Sequence, residues 1–314
     1  MKEVVLLAGV GNMGREYAKV LDGLNVPYIA VGRGEGSSAL FEKHTGKKAI
    51  PGGIKEFVNK SANIPDTAIV AVNIPQLFSA CKELLLAGVK HILLEKPGAL
   101  YDHELNELNE LVMSVNASVF IAYNRRFYES VREVGRIILS DGGVKSFQFE
   151  FTEWSHVIEP LAREPIEKER WFLCNSSHVA DLAFFLGGKP EEIISFSSGS
   201  LSWHSSGSAF CGCGVSDRGA LFSYTANWNA PGRWGVEILT EHNRLYLRPL
   251  EKLQVQRRAK IDLEPVCISD KLDRDYKPGL YRMVNQFLNG DYESFCTLRD
   301  QVDAFSYYMK MVRY

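Results

Sequence analysis

The 314-residue sequence is poor in the features that mark special classes of protein. Its six cysteines, Cys81, Cys174, Cys211, Cys213, Cys267 and Cys296, are too sparse for a disulfide scaffold and include no C-x-x-C pair. A reducing, cytoplasmic setting is therefore expected. Neither sign of charge dominates, since 36 Lys and Arg stand against 38 Asp and Glu for a net charge of −2. That balance leaves no broad basic field for nucleic acid or an anionic membrane, and neither is expected as a partner. The longest apolar runs, such as residues 4–10, fall far short of the roughly 20 residues that span a bilayer. Met1-Lys2-Glu3 leads directly into a strand pattern, so neither a signal peptide nor a membrane helix is expected. No internal repeat and no linker rich in Pro or Ser is present. Hydrophobic residues at 46% and charged residues at 24% are near ordinary globular averages, and the length suits two domains at about 150 residues each.

What is present is a change of texture near residue 122. Up to there, short apolar runs alternate with amphipathic stretches of helical length, the pattern of a parallel sheet with crossover helices. Six strands are expected: Val4 to Ala8, Tyr28 to Val31, Lys48 to Ile50, Ala68 to Val72, Ile92 to Leu94 and Val119 to Ala122. Leu77, Cys81, Leu84 and Leu85 share one helical face, and Leu105, Leu108, Val112 and Val115 another, with Asp102 as a cap for the second. Beyond Tyr123, a helix over Phe127 to Leu139 precedes alternating runs that read as antiparallel strands: Ser146 to Glu153, Ala209 to Val215, Ala220 to Asn227, Val236 to Thr240 and Arg244 to Leu247. Turn residues at 216–219 and 241–243 set hairpins. Helices are expected over Ser176 to Leu186, Gly279 to Leu288 and Arg299 to Val312. The fold class is therefore α/β: a Rossmann dinucleotide-binding domain over 1–122, followed over 123–314 by an α+β domain with a mostly antiparallel sheet for substrate binding and oligomerisation. Ligands of such chains are expected where two domains meet.

The strongest local signal is Gly9-Val10-Gly11-Asn12-Met13-Gly14, a G-x-G-x-x-G that closes a strand and opens a helix, as dinucleotide binding requires. The first glycine permits a tight turn, the second lets backbone approach a pyrophosphate, and the third lets helix and strand pack closely. At the end of the second strand, where an NAD site presents a carboxylate to the ribose, the chain reads Val31-Gly32-Arg33-Gly34-Glu35-Gly36-Ser37-Ser38. Arg33, with Ser37, suits a 2′-phosphate, which favours NADP(H). In the alternative, Arg33 lies in solvent, Glu35 takes the ribose and NAD(H) is used. Asn73 and Pro75 follow the fourth strand, placed either along the cofactor or as an ordinary strand-to-helix turn. Glu95-Lys96-Pro97 follows the fifth strand at the edge where open α/β sheets bind ligands. A lysine there, close to an oxidised nicotinamide, has its ammonium form disfavoured and suits acid and base work.

Taken together, Gly9-Val10-Gly11-Asn12-Met13-Gly14, Glu95-Lys96-Pro97, Tyr123-Asn124-Arg125-Arg126-Phe127 and His178-Val179-Ala180-Asp181-Leu182 resemble the glucose-fructose oxidoreductase / inositol dehydrogenase / MocA (Gfo/Idh/MocA) family. The motifs fall in that family's order over essentially the whole chain. The resemblance implies hydride transfer between nicotinamide and a carbon of a sugar, nucleotide sugar or cyclitol. It implies Lys96 and His178 as catalytic residues, with Glu95, Pro97 and Arg126 at the cofactor and Tyr123 at the substrate. It also implies a homodimer or homotetramer.

One departure stands out, because many relatives have an aspartate four residues before the histidine and this chain has Cys174, followed by Asn175. The usual carboxylate, histidine and lysine set is thus incomplete, with Asp181 as a possible substitute partner for the imidazole. Asn175, Ser176 and Ser177 are capping residues, which places His178 in a first helical turn, where the dipole favours neutral imidazole. His156 and Trp171 are further substrate candidates, although Trp154, Trp171, Trp228 and Trp234 also suit core or oligomer packing. Cys211-Gly-Cys213 has no further ligand pair, so no metal is expected, and Arg257, Arg258 and Lys260 read as a solvated strand edge. Two other functions compete with the dehydrogenase: a dinucleotide-binding sensor that has lost catalysis, and a reductase of a non-sugar carbonyl or conjugated double bond.

Overall fold

The computed structural model describes residues 3–314. They divide into two compact units, residues 1–124 with 272–303, and residues 125–271 with 304–314. The division falls after Asn124, against the boundary expected near 122, and the chain returns to the first unit at Leu272. Two features tie that return down. A short strand, Cys296–Thr297 (β15), adds antiparallel to the strand Ser118–Ile121 (β6), and Phe120 stacks on Tyr292 at 4.3 Å. A two-residue strand and a scatter of aromatics carry no periodicity that sequence can display.

The first unit holds a seven-stranded sheet. Besides β6 and β15 it contains Val5–Ala8 (β1), Tyr28–Val31 (β2), Ala49–Ile50 (β3), Thr67–Val70 (β4) and His91–Leu94 (β5). Their order is β15-β6-β5-β4-β1-β2-β3, with every pair parallel except that of β15. β1 and β4 lie mid-sheet and are buried at every residue, which is why they read as continuous apolar runs. Strand order reverses beside β1, the place where such sheets bind ligands at the carboxyl ends of their strands. The helix Asp102–Ser114 is capped by Tyr101 in extended conformation, so Asp102 is its first residue and not its cap. There the Asp102 carboxylate accepts from the Asn106 side chain at 2.9 Å and meets the positive helix end.

The second unit holds an eight-stranded sheet. Its strands are Ser146–Glu150 (β7), Pro190–Ser198 (β8), Ala209–Ser216 (β9), Leu221–Asn227 (β10), Gly235–Leu239 (β11), Asn243–Leu247 (β12), Gln254–Arg257 (β13) and Glu264–Pro265 (β14). The order is β14-β13-β12-β11-β7-β10-β9-β8, antiparallel except where β7 pairs with β10. Strict alternation in β10 turns Phe222, Tyr224 and Ala226 inward. There they join Phe147, Phe149 and Phe151, and Phe184 of the helix Ser177–Gly187 meets Phe149 edge-on at 5.4 Å. Gly187 ends that helix flush on the sheet, since a Cβ there would lie 2.3 Å from the Phe147 ring. No helix among the described residues is long and apolar enough to cross a membrane.

All five tryptophans fall in this second unit, so their fluorescence reports on it alone. Phe149→Ala, which empties a ring from the aromatic core, is expected to lower its unfolding free energy by about 3–5 kcal/mol, read from urea titration of that fluorescence.

Candidate active site

The first half of the site is built from backbone. Gly9 takes φ +107, and a Cβ on it would lie 2.3 Å from the Ala71 carbonyl oxygen beyond β4. Gly14 lies in the helix Asn12–Gly23, and a Cβ there would lie 2.1 Å from the Gly9 oxygen. A side chain at Gly11, by contrast, would meet nothing within 4 Å. The outer two glycines are therefore demanded by packing, while the middle one leaves open space at a helix N-terminus, as a bound pyrophosphate needs. Asn12 and Met13 begin that helix, and Asn12 accepts a hydrogen bond from Arg15.

A cleft of about 270 Å³ opens at the same edge, bordered by Gly9, Val31, Arg33, Gly53, Lys55 and Ser79. Arg33 is exposed, and its backbone carbonyl accepts from Gly52. Ser37 is exposed too and donates to the Gly34 carbonyl at 2.8 Å, a bond local to its own helix start. Asn73 precedes a 3₁₀ turn over Ile74–Gln76 whose second residue is Pro75. A larger cavity, about 460 Å³, lies by the amino-terminal ends of β1, β4 and β5, where Val5, Thr67 and His91 begin those strands. It is at the sheet edge opposite to the one that carries the glycine loop.

Glu95 and Lys96 follow β5, and their neighbours fix the loop. The Pro97 carbonyl accepts from the buried Gln301 side chain at 3.0 Å, and Gly98 donates to the Glu95 carbonyl at 3.0 Å. Tyr17 donates its hydroxyl to the Glu95 carboxylate at 2.7 Å. Burial pushes the Glu95 pKa up, opposed by that bond and by Lys96 and Lys277. Glu95, expected at the cofactor, thus anchors the fifth strand to the glycine-loop helix and leaves Lys96, half-buried beside it, as the loop's cation. Tyr123 is wholly buried.

In the second unit the residues near His178 are arranged differently from the expectation. Asn175, Ser176 and Ser177 do not cap a helix. Residues Phe172–Ser176 form a π-helical turn that runs without a break into the helix Ser177–Gly187, and such wide turns recur at functional sites. His178 therefore lies inside a continuous helical path rather than at the free end on which the dipole argument rested. The cause is Glu153, which sequence reasoning missed. Its side chain is 2% exposed, and one carboxylate oxygen accepts from Asn175 Nδ2 and from Ser176 Oγ, each at 2.8 Å. The other accepts from Arg233 Nη1 at 3.2 Å. The polar residues that looked like caps are drawn onto a buried carboxylate, and Ser177 donates back to the Leu173 carbonyl. The start of the π turn is held as well, since the Phe172 amide donates to the Tyr314 hydroxyl at 3.1 Å and that hydroxyl pairs with His204 Nε2 at 2.8 Å.

Asp181 is engaged by Arg126. It takes a two-pronged ion pair from Arg126, Nε to Oδ2 at 2.8 Å and Nη2 to Oδ1 at 2.6 Å. Arg126 also lies over the Phe185 ring at 4.7 Å, so the arginine expected at the cofactor is committed to an internal bond. His178 is buried, with Trp234 at 6.3 Å between ring centres. Cys174 is buried, Trp171 is buried against Trp203, and His156 is exposed on a short helix. Among the described residues no group of three metal-ligating side chains comes together.

Comparison with known proteins gives no matching family model and no match among curated sequences. Solved structures do match. A UDP-N-acetylglucosamine 3-dehydrogenase, GnnA, from Acidithiobacillus ferrooxidans has a TM-score of 0.79 at 14% identity, over 100% of this chain and 97% of its own. A levoglucosan dehydrogenase in complex with NADH and levoglucosan reaches 0.82 at 17%, over 100% and 97%. An NAD binding oxidoreductase from Klebsiella pneumoniae gives 0.78 at 15%, over 99% and 96%. The chain shares their fold. It is the fold that the resemblance to the Gfo/Idh/MocA family implies, and both the parallel and the mostly antiparallel sheet are as that resemblance leads one to expect.

Burial pushes the pKa of Glu153 up, against the pull of Ser176, Arg233, Asn175 and Trp171. A carboxyl whose folded pKa lies above its unfolded one stabilises the fold below the ordinary carboxylate range, and that contribution is lost as pH rises through the folded value. Urea titrations read by tryptophan fluorescence are therefore expected to show Glu153→Gln gaining on the wild type as pH rises from about 4 to about 7. A difference independent of pH would contradict the assignment.

Proposed function

We propose that the protein is a nicotinamide-dependent oxidoreductase that moves a hydride between the cofactor and a hydroxyl-bearing or keto carbon of a sugar, nucleotide sugar or cyclitol. The observation that carries the reading is the glycine loop, in which Gly9 and Gly14 are closed by packing and Gly11 alone faces open space. Neighbouring folds whose names include a nucleotide-sugar dehydrogenase and a sugar dehydrogenase with NADH support the substrate class. The first unit is read as the dinucleotide domain. The second supplies the substrate site, and the exposed Ile194, Phe196 and Leu221 on β8 and β10 support its use in forming a homodimer or homotetramer.

Bound nicotinamide supplies the hydride acceptor or donor. The chain's part is to hold the dinucleotide and manage one proton. Gly9, Gly11 and Gly14, with Asn12 and Met13 at the helix start, take the pyrophosphate, while Asn73, Pro75 and Pro97 border the nicotinamide half. Arg33 makes no ion pair with any described residue and borders the cleft together with Lys55. That exposed pair of cations supports NADP(H), whose 2′-phosphate meets charge-assisted bonds there. In oxidation His178 takes the substrate hydroxyl proton and Lys96 is the second acid-base group, and in reduction the proton returns. Asn175, fixed by Glu153, is a neutral donor for a substrate oxygen.

A second reading is a dinucleotide-binding sensor without catalysis, favoured by one observation: a buried cysteine, Cys174, stands where many relatives have a carboxylate. Binding of NADPH with no reduction or oxidation across a sugar panel would favour it.

Lys96→Ala is expected to cut turnover by about 10²- to 10⁴-fold while the NADPH dissociation constant stays within about threefold, measured by absorbance of the reduced cofactor and by its fluorescence on binding. Full activity in that variant would overturn the mechanism. Arg33→Ala is expected to weaken NADPH binding by about 10- to 100-fold and NADH binding hardly at all. Equal losses for the two cofactors would point to NAD(H).

A further inference from the structure

A group of donors in the second unit exceeds what its fold uses. Arg233 spends one nitrogen on Glu153, and its guanidinium lies over two indoles, 5.0 Å from the centre of Trp154 and 4.8 Å from that of Trp234. The arginine side chain is nonetheless 49% exposed, and its remaining N–H groups meet no acceptor among the described residues. The flanking groups are fixed. Trp154, itself 45% exposed, donates its indole N–H to the Gly232 carbonyl at 2.8 Å. Gly232 approaches so closely that a Cβ would lie 2.4 Å from a Glu150 carboxylate oxygen. A second guanidinium, that of Arg125, lies over the same Trp234 ring, 4.8 Å from its centre. The indole N–H of Trp234 is buried and lacks an acceptor. Two guanidiniums thus border one indole, and the buried Glu153 carboxylate pairs with one of them, Arg233.

Trp234 is also the ring beside His178. A half-exposed guanidinium with donors to spare, pre-fixed beside a proton-transferring imidazole, suits a ligand with anionic oxygens, because an arginine held by stacking loses little entropy on binding. An exposed indole beside it gives a sugar ring an apolar face to rest on.

We propose that Arg233 and Trp154 recognise an acidic group on the substrate, so that the sugar oxidised at His178 carries a carboxylate or phosphoryl group. This rests on the dehydrogenase reading above and narrows its substrate class. Glu153 is then a positioning residue, which holds the guanidinium by one nitrogen and leaves the others for the ligand.

The test uses the full chain saturated with NADP⁺ and compares hexuronates, hexose phosphates and nucleoside-diphosphate hexoses with neutral partners: the uronamide, the free hexose and the hexose methyl glycoside. Cofactor reduction and calorimetric binding are both read. At least one acidic sugar is expected to exceed its neutral partner about 100-fold in kcat/KM, chiefly through KM, and Arg233→Gln to bring that ratio close to one. Which of the three series responds identifies the source of the charge. Equal use of acidic and neutral sugars, or a ratio unchanged in Arg233→Gln, overturns the proposal and leaves the dehydrogenase reading intact. Acidic sugars that bind through Arg233 but are never oxidised uphold the site and overturn that reading. No binding of any acid overturns the proposal. Where tryptophan fluorescence shows Arg233→Gln unfolded, the wild-type ratio of acid to neutral decides by itself.

Discussion

The second unit is organised around a carboxylate taken out of water. An ionised group at 2% exposure is tolerable only if its oxygens are met by donors of fixed geometry, and each of the donors that meets Glu153 has a structural consequence. Asn175 and Ser176 bend toward it and widen the helix into a π turn ahead of His178. Arg233 comes from a segment 80 residues away in sequence and brings Trp234 with it, the indole that lies beside the imidazole. One buried charge thereby sets the approach to the histidine and one wall of its surroundings.

The first unit depends on a constraint of another kind, the contact of backbone with backbone. Gly9 lies against Ala71, and Gly14 against Gly9, with no room for a Cβ at either. Such contacts need only the absence of a side chain, so the sequence displays them directly as glycines at fixed spacing. That difference explains what could be read in advance. The central parallel strands, β1 and β4 above all, were legible because burial on both faces makes them continuously apolar. The hairpins at 216–219 and 241–243 were legible because turn chemistry is local. Gly219 at φ +74 closes the first of them with its amide on the Ser216 carbonyl at 2.8 Å.

What escaped the sequence reading is long-range. β8 carries Ile194 and Phe196 on an exposed face, at 61% and 58% exposure, which inverts the apolar-inward rule and hides the strand. The return of 272–303 to the first unit is secured by a two-residue strand and by ring contacts. Asn175, Ser176 and Ser177 suit a sound local rule, capping, in which a side-chain oxygen accepts from a backbone amide; here Asn175 and Ser176 instead donate to the buried Glu153 carboxylate and Ser177 to the Leu173 carbonyl. Glu153 itself ends an alternating run, where a glutamate usually faces solvent. Nothing nearby announces that Arg233 will fold over it.

The cost of the Glu153–Arg233 pair bears on what the site is for. A buried ion pair replaced as a pair by well-packed apolar residues is often neutral or favourable for stability, so folding alone gives little reason for its presence. Another internal pair of this unit, Arg126 with Asp181, is different: both partners are almost fully covered, at 12% and 4% exposure. Arg233 is half exposed and leaves donors over. A guanidinium fixed between two indoles and only partly neutralised is what a site for anionic oxygens requires. Glu153 keeps that guanidinium in place without consuming it, and the same carboxylate orders the turn before His178. Together these features place Arg233 and His178 around a single ring, Trp234.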